Sequence, residues 1–139
     1  MNSKLKKWMK SFKEQNNISY NNDGSIDVFG EVDLYEIGIS YLPFIFNVVH
    51  GNFYCFQNKL TSLKGFPRVV HGSVVVHSNM LTSLKYCPRV IDGYFNVSCN
   101  PLVDVEDIFR LKIGYSIVFD EDQRRRLHRI STYERLRDL

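Results

Sequence analysis

The chain has 139 residues, enough for one domain and too few for two comfortable ones. Hydrophobic residues make up 44%, aromatics 14% and charged residues 24%, a balance that can bury a core and excludes a disordered, charge-dominated chain. The formal net charge of +3 is unevenly placed, with +4 in residues 1–17, −1 in 18–103, −1 in 104–119 and +1 in 120–139, which excludes a uniformly basic protein that coats nucleic acid.

The first element in the chain is a helix over residues 1–17. Leu5, Trp8, Met9 and Phe12 fall at i, i+3, i+4 and i+7, with Lys4, Lys6, Lys7, Lys10 and Lys13 around them, the pattern of a basic amphipathic helix. Two roles fit: a cap over the open end of the repeats that follow, or a helix lying on a membrane surface or on phosphate. The cap is the expectation, because an uncovered first repeat would leave a raw apolar edge. The opening segment has charges every few residues and no apolar stretch of signal-peptide length, and no later stretch approaches a membrane span. Three cysteines make no disulfide framework, so the expected compartment is a reducing cytosol, with no membrane contact.

Residues 18–119 are dominated by self-similarity. Rows beginning at Ile39, Leu60, Leu81 and Leu102 repeat every 21 residues; Gly30, Gly51, Gly72, Gly93 and Gly114 keep this spacing, as do Asn58, Asn79 and Asn100. The order apolar-x-apolar-x-x-Asn-x-Leu-x-x-Leu runs from Phe53 to Leu63 and from Val74 to Leu84, and from Phe95 it runs on to Val105. Each coil is expected to supply a short strand with alternate side chains inward, and stacking joins the strands into a parallel sheet. The first strand is expected over Glu31–Tyr35, and the last follows Gly114, where a one-residue slip would turn Ile117 and Phe119 inward. An inward Asn can satisfy backbone groups where the chain leaves the strand. The glycines suit a tight bend with positive φ, and Pro67 and Pro88 an extended return path without helix. The expected fold is an α/β repeat solenoid, a leucine-rich-repeat-like stack of about five coils with one parallel sheet and helical caps at both termini.

Residues 23–105 resemble short leucine-rich-repeat proteins of tailed bacteriophages, through runs such as Leu60-Thr61-Ser62-Leu63-Lys64-Gly65 and the Asn-x-Leu steps. The same runs are similar to the repeats of bacterial secreted effectors, some of which add a ubiquitin-ligase domain that this chain has no room for. The resemblance implies a phage-encoded binding module that engages a host protein in the bacterial cytosol and inhibits or redirects it. One departure is that the first apolar position of the repeat holds His50, His71 and Asp92.

Residues 120–139 place acids ahead of arginines, as a helix dipole prefers, with Leu127, Ile130, Tyr133 and Leu136 as an inner stripe. This helix reads as a second cap, or as a grip by Arg124, Arg125, Arg126 and Arg129 on an acidic partner or a nucleic-acid backbone. No motif for phosphate loops, serine nucleophiles or zinc is present, the cysteines have no general base at readable spacing, and the expected protein is not an enzyme and uses no cofactor or metal.

Strand alternation points to the expected contact surface. If Phe53 and Cys55 face inward, the outward rows are Glu31-Asp33-Tyr35, Asn52-Tyr54-Phe56, Ser73-Val75-His77 and Tyr94-Asn96-Ser98. Tyr35, Tyr54, Phe56, Val75, His77, Tyr94 and Asn96 then form an aromatic patch suited to a protein partner, with Glu31 and Asp33 selecting a basic one. The alternative is a nucleic-acid-associated adaptor that uses the N-terminal arm and the C-terminal arginines.

Overall fold

The computed structural model describes residues 1–15 and 17–126. Helix α1 (Ser3–Glu14) precedes strands β1 (Ile18–Tyr20), β2 (Ile26–Val28), β3 (Val32–Asp33), β4 (Phe46–Val49), β5 (Phe53–Tyr54), β6 (Val69–Val70), β7 (Val74–Val75), β8 (Val90–Ile91), β9 (Phe95–Asn96), β10 (Lys112–Ile113) and β11 (Ile117–Val118). These form a parallel β-solenoid of about four turns, because the five strands from β3 to β11 in one sheet bound four intervals. Their spacing is the 21 residues of the sequence repeat, as in Val32↔Phe53↔Val74↔Phe95.

Two expectations about the architecture are corrected. Each coil carries two strands, one on each side of the repeated glycine, so there are two sheets. The first has the order β1-β2-β4-β6-β8-β10 and the second β11-β9-β7-β5-β3. The pairs just before each glycine, Val48-Val49, Val69-Val70 and Val90-Ile91, are β-branched and join in parallel register. The coils are also not α/β: the return paths are irregular, and among the described residues only the last carries a helix, the 3-10 segment Glu106–Arg110. β1 pairs antiparallel with β2 in a hairpin that the repeat pattern did not foretell.

The core is a set of columns running through the stack. Val28, Val49, Val70 and Ile91 form one and Leu60, Leu81 and Leu102 another; all are buried. In a third, Val and Phe alternate, and the large Phe53 is followed by the small Cys55, so neighbouring layers interlock. Phe46 and Phe66 each set a ring against Phe53 at 5.0 Å between centroids. At the first coil, Leu5 and Phe12 of α1 are buried, Trp8 stacks on Phe12 at 4.6 Å, and the Trp8 indole donates to the Asp33 carbonyl at 2.6 Å. Asn2 caps the helix by accepting from the Leu5 N–H, and its own amide donates to the Ile37 carbonyl.

The glycine column has a different cause from the expected one. Gly51, Gly72, Gly93 and Gly114 do not have positive φ. A Cβ on Gly72 would stand 2.6 Å from the Gly51 carbonyl oxygen and 2.5 Å from Asn52 Oδ1, so successive corners stack backbone on backbone and leave no space for a side chain. In the glycine column only Gly30 has positive φ, at 156°, and positive φ recurs from coil to coil instead at Glu36, Gln57, Ser78 and Cys99, each one residue before the asparagine position of its coil.

The asparagines themselves lie across coil boundaries. Asn79 Oδ1 accepts from the Leu60 N–H at 3.0 Å, and its Nδ2 donates to the carbonyls of Cys55 at 2.9 Å and Val76 at 3.0 Å. Asn58 and Asn100 repeat the arrangement one coil earlier and one later. Replacing Asn79 with Leu leaves these buried backbone groups unsatisfied. The variant is expected to lose roughly 2–4 kcal/mol in urea unfolding, while the exposed Lys59→Ala is expected to change little.

Candidate functional site

The outward face of the second sheet follows from the alternation within β3, β5, β7, β9 and β11. Asp33, Tyr54, Val75, Asn96 and Val118 lie in one row because they are register partners. The one-residue slip is already in place at β10, where Lys112 pairs with Val90, and carries through β11, where Ile117 pairs with Phe95 and Ile117 and Phe119 pack on the core. Glu31, Asp33 and Tyr35 are exposed, Tyr54, Phe56, Val75, His77 and Asn96 are half-buried, and Tyr94 is 50% exposed.

These residues form two ring clusters rather than one. Tyr35 lies over Phe56 and Phe56 over His77, both at 4.6 Å between centroids, with Tyr54 edge-on to Phe56 at 6.1 Å. Tyr94 belongs to a second cluster, stacked on Tyr115 at 5.2 Å. Tyr115 is 70% exposed and escaped the sequence reading because its coil breaks the pattern; its position 21 residues after Tyr94 is the signal that marks it. Between the clusters lie small polar side chains that tie coil to coil. Asn52 Oδ1 accepts from the Ser73 N–H at 2.8 Å, and Ser73 Oγ accepts from the Tyr94 N–H at 3.0 Å.

The electrostatics keep the rings neutral. Burial lowers the His77 pKa below its ordinary value, so at neutral pH the imidazole stacks uncharged on Phe56. Burial, helped by the negative charge of Glu31 and Asp33, raises the Tyr54 phenol above its ordinary value and keeps its hydroxyl available as a donor.

The remaining candidate positions lie elsewhere. Arg124, Arg125 and Arg126 are exposed on the helical residues 121–126, and Arg125 is held by Glu121 at 2.7 Å. Arg129 and the stripe Leu127, Ile130, Tyr133 and Leu136 lie outside the described residues. His50, His71 and Asp92 line up at the corner between the sheets, as their spacing implies. There His50 stacks between Phe29 at 4.7 Å and His71 at 5.1 Å, and His71 Nδ1 lies 2.8 Å from Asp92 Oδ2. Among the described residues no group of three His, Cys, Asp or Glu side chains is placed to hold a metal ion. No helix among them is long and apolar enough to cross a membrane.

Comparison of the chain with family models, with curated proteins and with solved structures finds no match.

All three cysteines are free, and their surroundings differ. Cys55 is enclosed in the core, where burial raises its thiol pKa. Burial and the neighbouring Asp107 push the Cys87 thiol up to about 11. Maleimide at about pH 8 is expected to label Cys99 alone in the folded protein, with Cys87 and Cys55 reacting only after denaturation. Mass spectrometry of the labelled peptides checks this, and rapid labelling of Cys87 would contradict it.

Proposed function

We propose that the protein is a protein-protein interaction module that binds through the outward face of its second sheet. The observation that carries this reading is the exposed ring pair Tyr94–Tyr115 beside the strip Tyr35–Phe56–His77 on one rigid face. Rings of this size on a stiff sheet supply contact area with little side-chain entropy to lose, and aromatic residues dominate the energetics of protein interfaces. Glu31, Asp33 and Glu36, all exposed at the first coil, would favour a partner with basic residues opposite them.

In this reading the protein works by occupancy rather than by catalysis. The resemblance to phage repeat proteins makes a host cytosolic protein, inhibited or redirected on binding, the natural target. Helix α1 serves as a cap on the first coil: Leu5, Trp8, Met9 and Phe12 all turn toward the core, which leaves its lysines outward. The helical residues 121–126 would be the corresponding cap at the other end, with about five coils counted if the incomplete first and last rows are included.

Tyr35→Ala and Tyr94→Ala are each expected to weaken partner binding by roughly 1–3 kcal/mol with little change in melting temperature, since both rings are exposed. Calorimetry with a partner captured from host lysate reads this out. Normal binding by both variants, together with loss on joint replacement of Arg124 and Arg125 by Ala, would move the contact surface to the C-terminal helix. Deleting residues 1–17 is expected to lower melting temperature and solubility. A truncated protein that melts unchanged but no longer associates with vesicles or nucleic acid would make α1 the functional element instead.

A further inference from the structure

A cleft of about 690 Å³ opens where the return paths meet the first sheet, and it shares no residue with the ring face. Its floor is built by the repeat: Gly65, Phe66 and Pro67 in one coil are followed by Cys87 and Pro88 in the next. Arg68 and Arg89 stand on adjacent rungs. The Arg89 N–H donates to the Arg68 carbonyl at 2.8 Å, and the Arg68 N–H donates to the Asn47 carbonyl at 2.8 Å. The two guanidinium groups therefore spring from backbones about 4.8 Å apart. Lys85 and Arg110 line the same cleft, and all four cations are exposed.

The cleft also contains two acids against its four cations, and the hydrogen bonds from Ser25, then the nearby charge of Arg68, hold the Asp23 carboxyl below its ordinary pKa. Asp23 lies at its first-coil end, where its carboxylate accepts from the Ser25 N–H at 2.9 Å and hydroxyl at 2.6 Å. Asp107 lies at the far end. Among the described residues, no ion pair includes Arg68, Arg89, Arg110 or Lys85; the pairs are His71–Asp92 and Arg125–Glu121. The rim holds a second irregularity. Tyr86 has φ of 69° where the preceding coil places Gly65 at 88°. A bulky side chain in that region is strained, and such strain gathers at ligand sites. The Tyr86 ring is 51% exposed, with Lys85 Nζ 5.2 Å from its centroid.

We propose that this cleft is a phosphate-binding site, in which Arg68 and Arg89 grip a phosphate-bearing ligand, Lys85 and Arg110 add charge at its sides, and the Tyr86 ring offers a flat contact. Two planar forks on neighbouring rungs suit phosphate oxygens, because each guanidinium can present paired N–H donors to one group. The volume suits a ligand of the size of a nucleotide. One exposed aromatic ring, Tyr86, beside a row of cations also suits a base of a short single strand. The chemistry is the same for a free phosphate chain and for a strand backbone, and the source separates by experiment.

The test uses the full chain with three probes, namely inorganic tripolyphosphate, a single-stranded oligonucleotide of about ten nucleotides, and a poly-glutamate peptide of similar charge. Binding is measured by calorimetry and fluorescence anisotropy at about 50 and 200 mM salt. Tripolyphosphate or the oligonucleotide is expected to bind, and joint replacement of Arg68 and Arg89 by Ala to weaken that binding at least about tenfold without shifting the melting temperature. Replacing both with Lys keeps the charge and removes the fork, and is expected to recover only part of the affinity. For the oligonucleotide, each lost arginine is expected to lower the slope of log affinity against log salt by about 0.7. Tripolyphosphate binding alone identifies a small phosphorylated ligand, and oligonucleotide binding identifies a strand; either supports the site. Binding by neither probe, equal binding of poly-glutamate, or binding that survives in the Arg68→Ala, Arg89→Ala variant but is lost with Arg124→Ala and Arg125→Ala would overturn it.

Discussion

The fold depends on the inward amide of each coil. Where the chain leaves the second sheet and turns into its return path, backbone N–H and C=O groups face an apolar interior that holds no other partner for them. Asn58 meets that demand in the first turn by accepting from the N–H groups of Ile37, Gly38 and Ile39 through Oδ1 and donating from Nδ2 to Leu34 and Cys55. Because each amide bonds to its own coil and to the one before it, the asparagines work only if the coils stay a single strand spacing apart. That spacing in turn brings one corner down onto the next and excludes a side chain there, so the Gly column and the Asn column follow from the same geometry.

The end of the ladder bears this out. A further asparagine would fall 21 residues after Asn100, at Glu121, but the last strand has already slipped by one residue and the register no longer delivers that position. Gln123 takes the place, 1% exposed, with Nε2 donating to Val97 at 3.1 Å and Asn100 at 3.0 Å. Its Oε1 accepts from the Asp120 N–H while the Asp120 carboxylate accepts from the Gln123 N–H, a reciprocal capping box that starts the helical residues 121–126. The second Asp120 oxygen accepts from Cys99, whose counterparts Gln57 and Ser78 donate to the next coil. One Asp and one Gln thus bond to the last described coil where, earlier in the stack, the following coil does.

How much of this was legible follows from what a period can carry. The columns at inward positions were, since burial repeats strictly: Phe53, Val74 and Phe95, the leucines and the asparagines all lie where the spacing puts them. The slip at β11 was legible too, because Ser116 is polar where the pattern wants an apolar residue. The first sheet, before the glycines, was not. Two-residue strands such as Val69–Val70 are too short to display an alternation, so the β-branched pairs before each glycine read as ordinary apolar positions. Gln123 was hidden because it serves the ladder from a different offset with a longer side chain. For the ring face, alternation assigned the rows, but how Tyr35, Phe56 and His77 divide from Tyr94 depends on side-chain directions that spacing does not contain. The Arg68, Arg89 and Arg110 column keeps the 21-residue period, yet a column of exposed residues carries no burial signal to set it apart from surface.

A stacked repeat makes every outward residue the neighbour of its own counterpart, so like residues meet unless the sequence separates them. At the corner column it does separate them, since after two imidazoles comes a carboxylate, and His71 and Asp92 attract at 2.8 Å. In the cleft it does not. Arg68 follows Asn47 and is itself followed by Arg89, so two full positive charges rise from adjacent rungs, and like charges directly opposite on neighbouring strands are destabilising. In water the repulsion between unit charges about 5 Å apart is below about 1 kcal/mol, and long side chains relieve some of it by splaying. The cost is small but avoidable, because a neutral or acidic residue at either position would remove it without touching the core. A strained Tyr86 at the rim of the same cleft, where the preceding coil uses glycine, is a second avoidable cost within the reach of these side chains. Two departures from the cheapest sequence in one cavity fit the phosphate site proposed for it, since an anion between the rungs turns the repulsion of Arg68 and Arg89 into attraction.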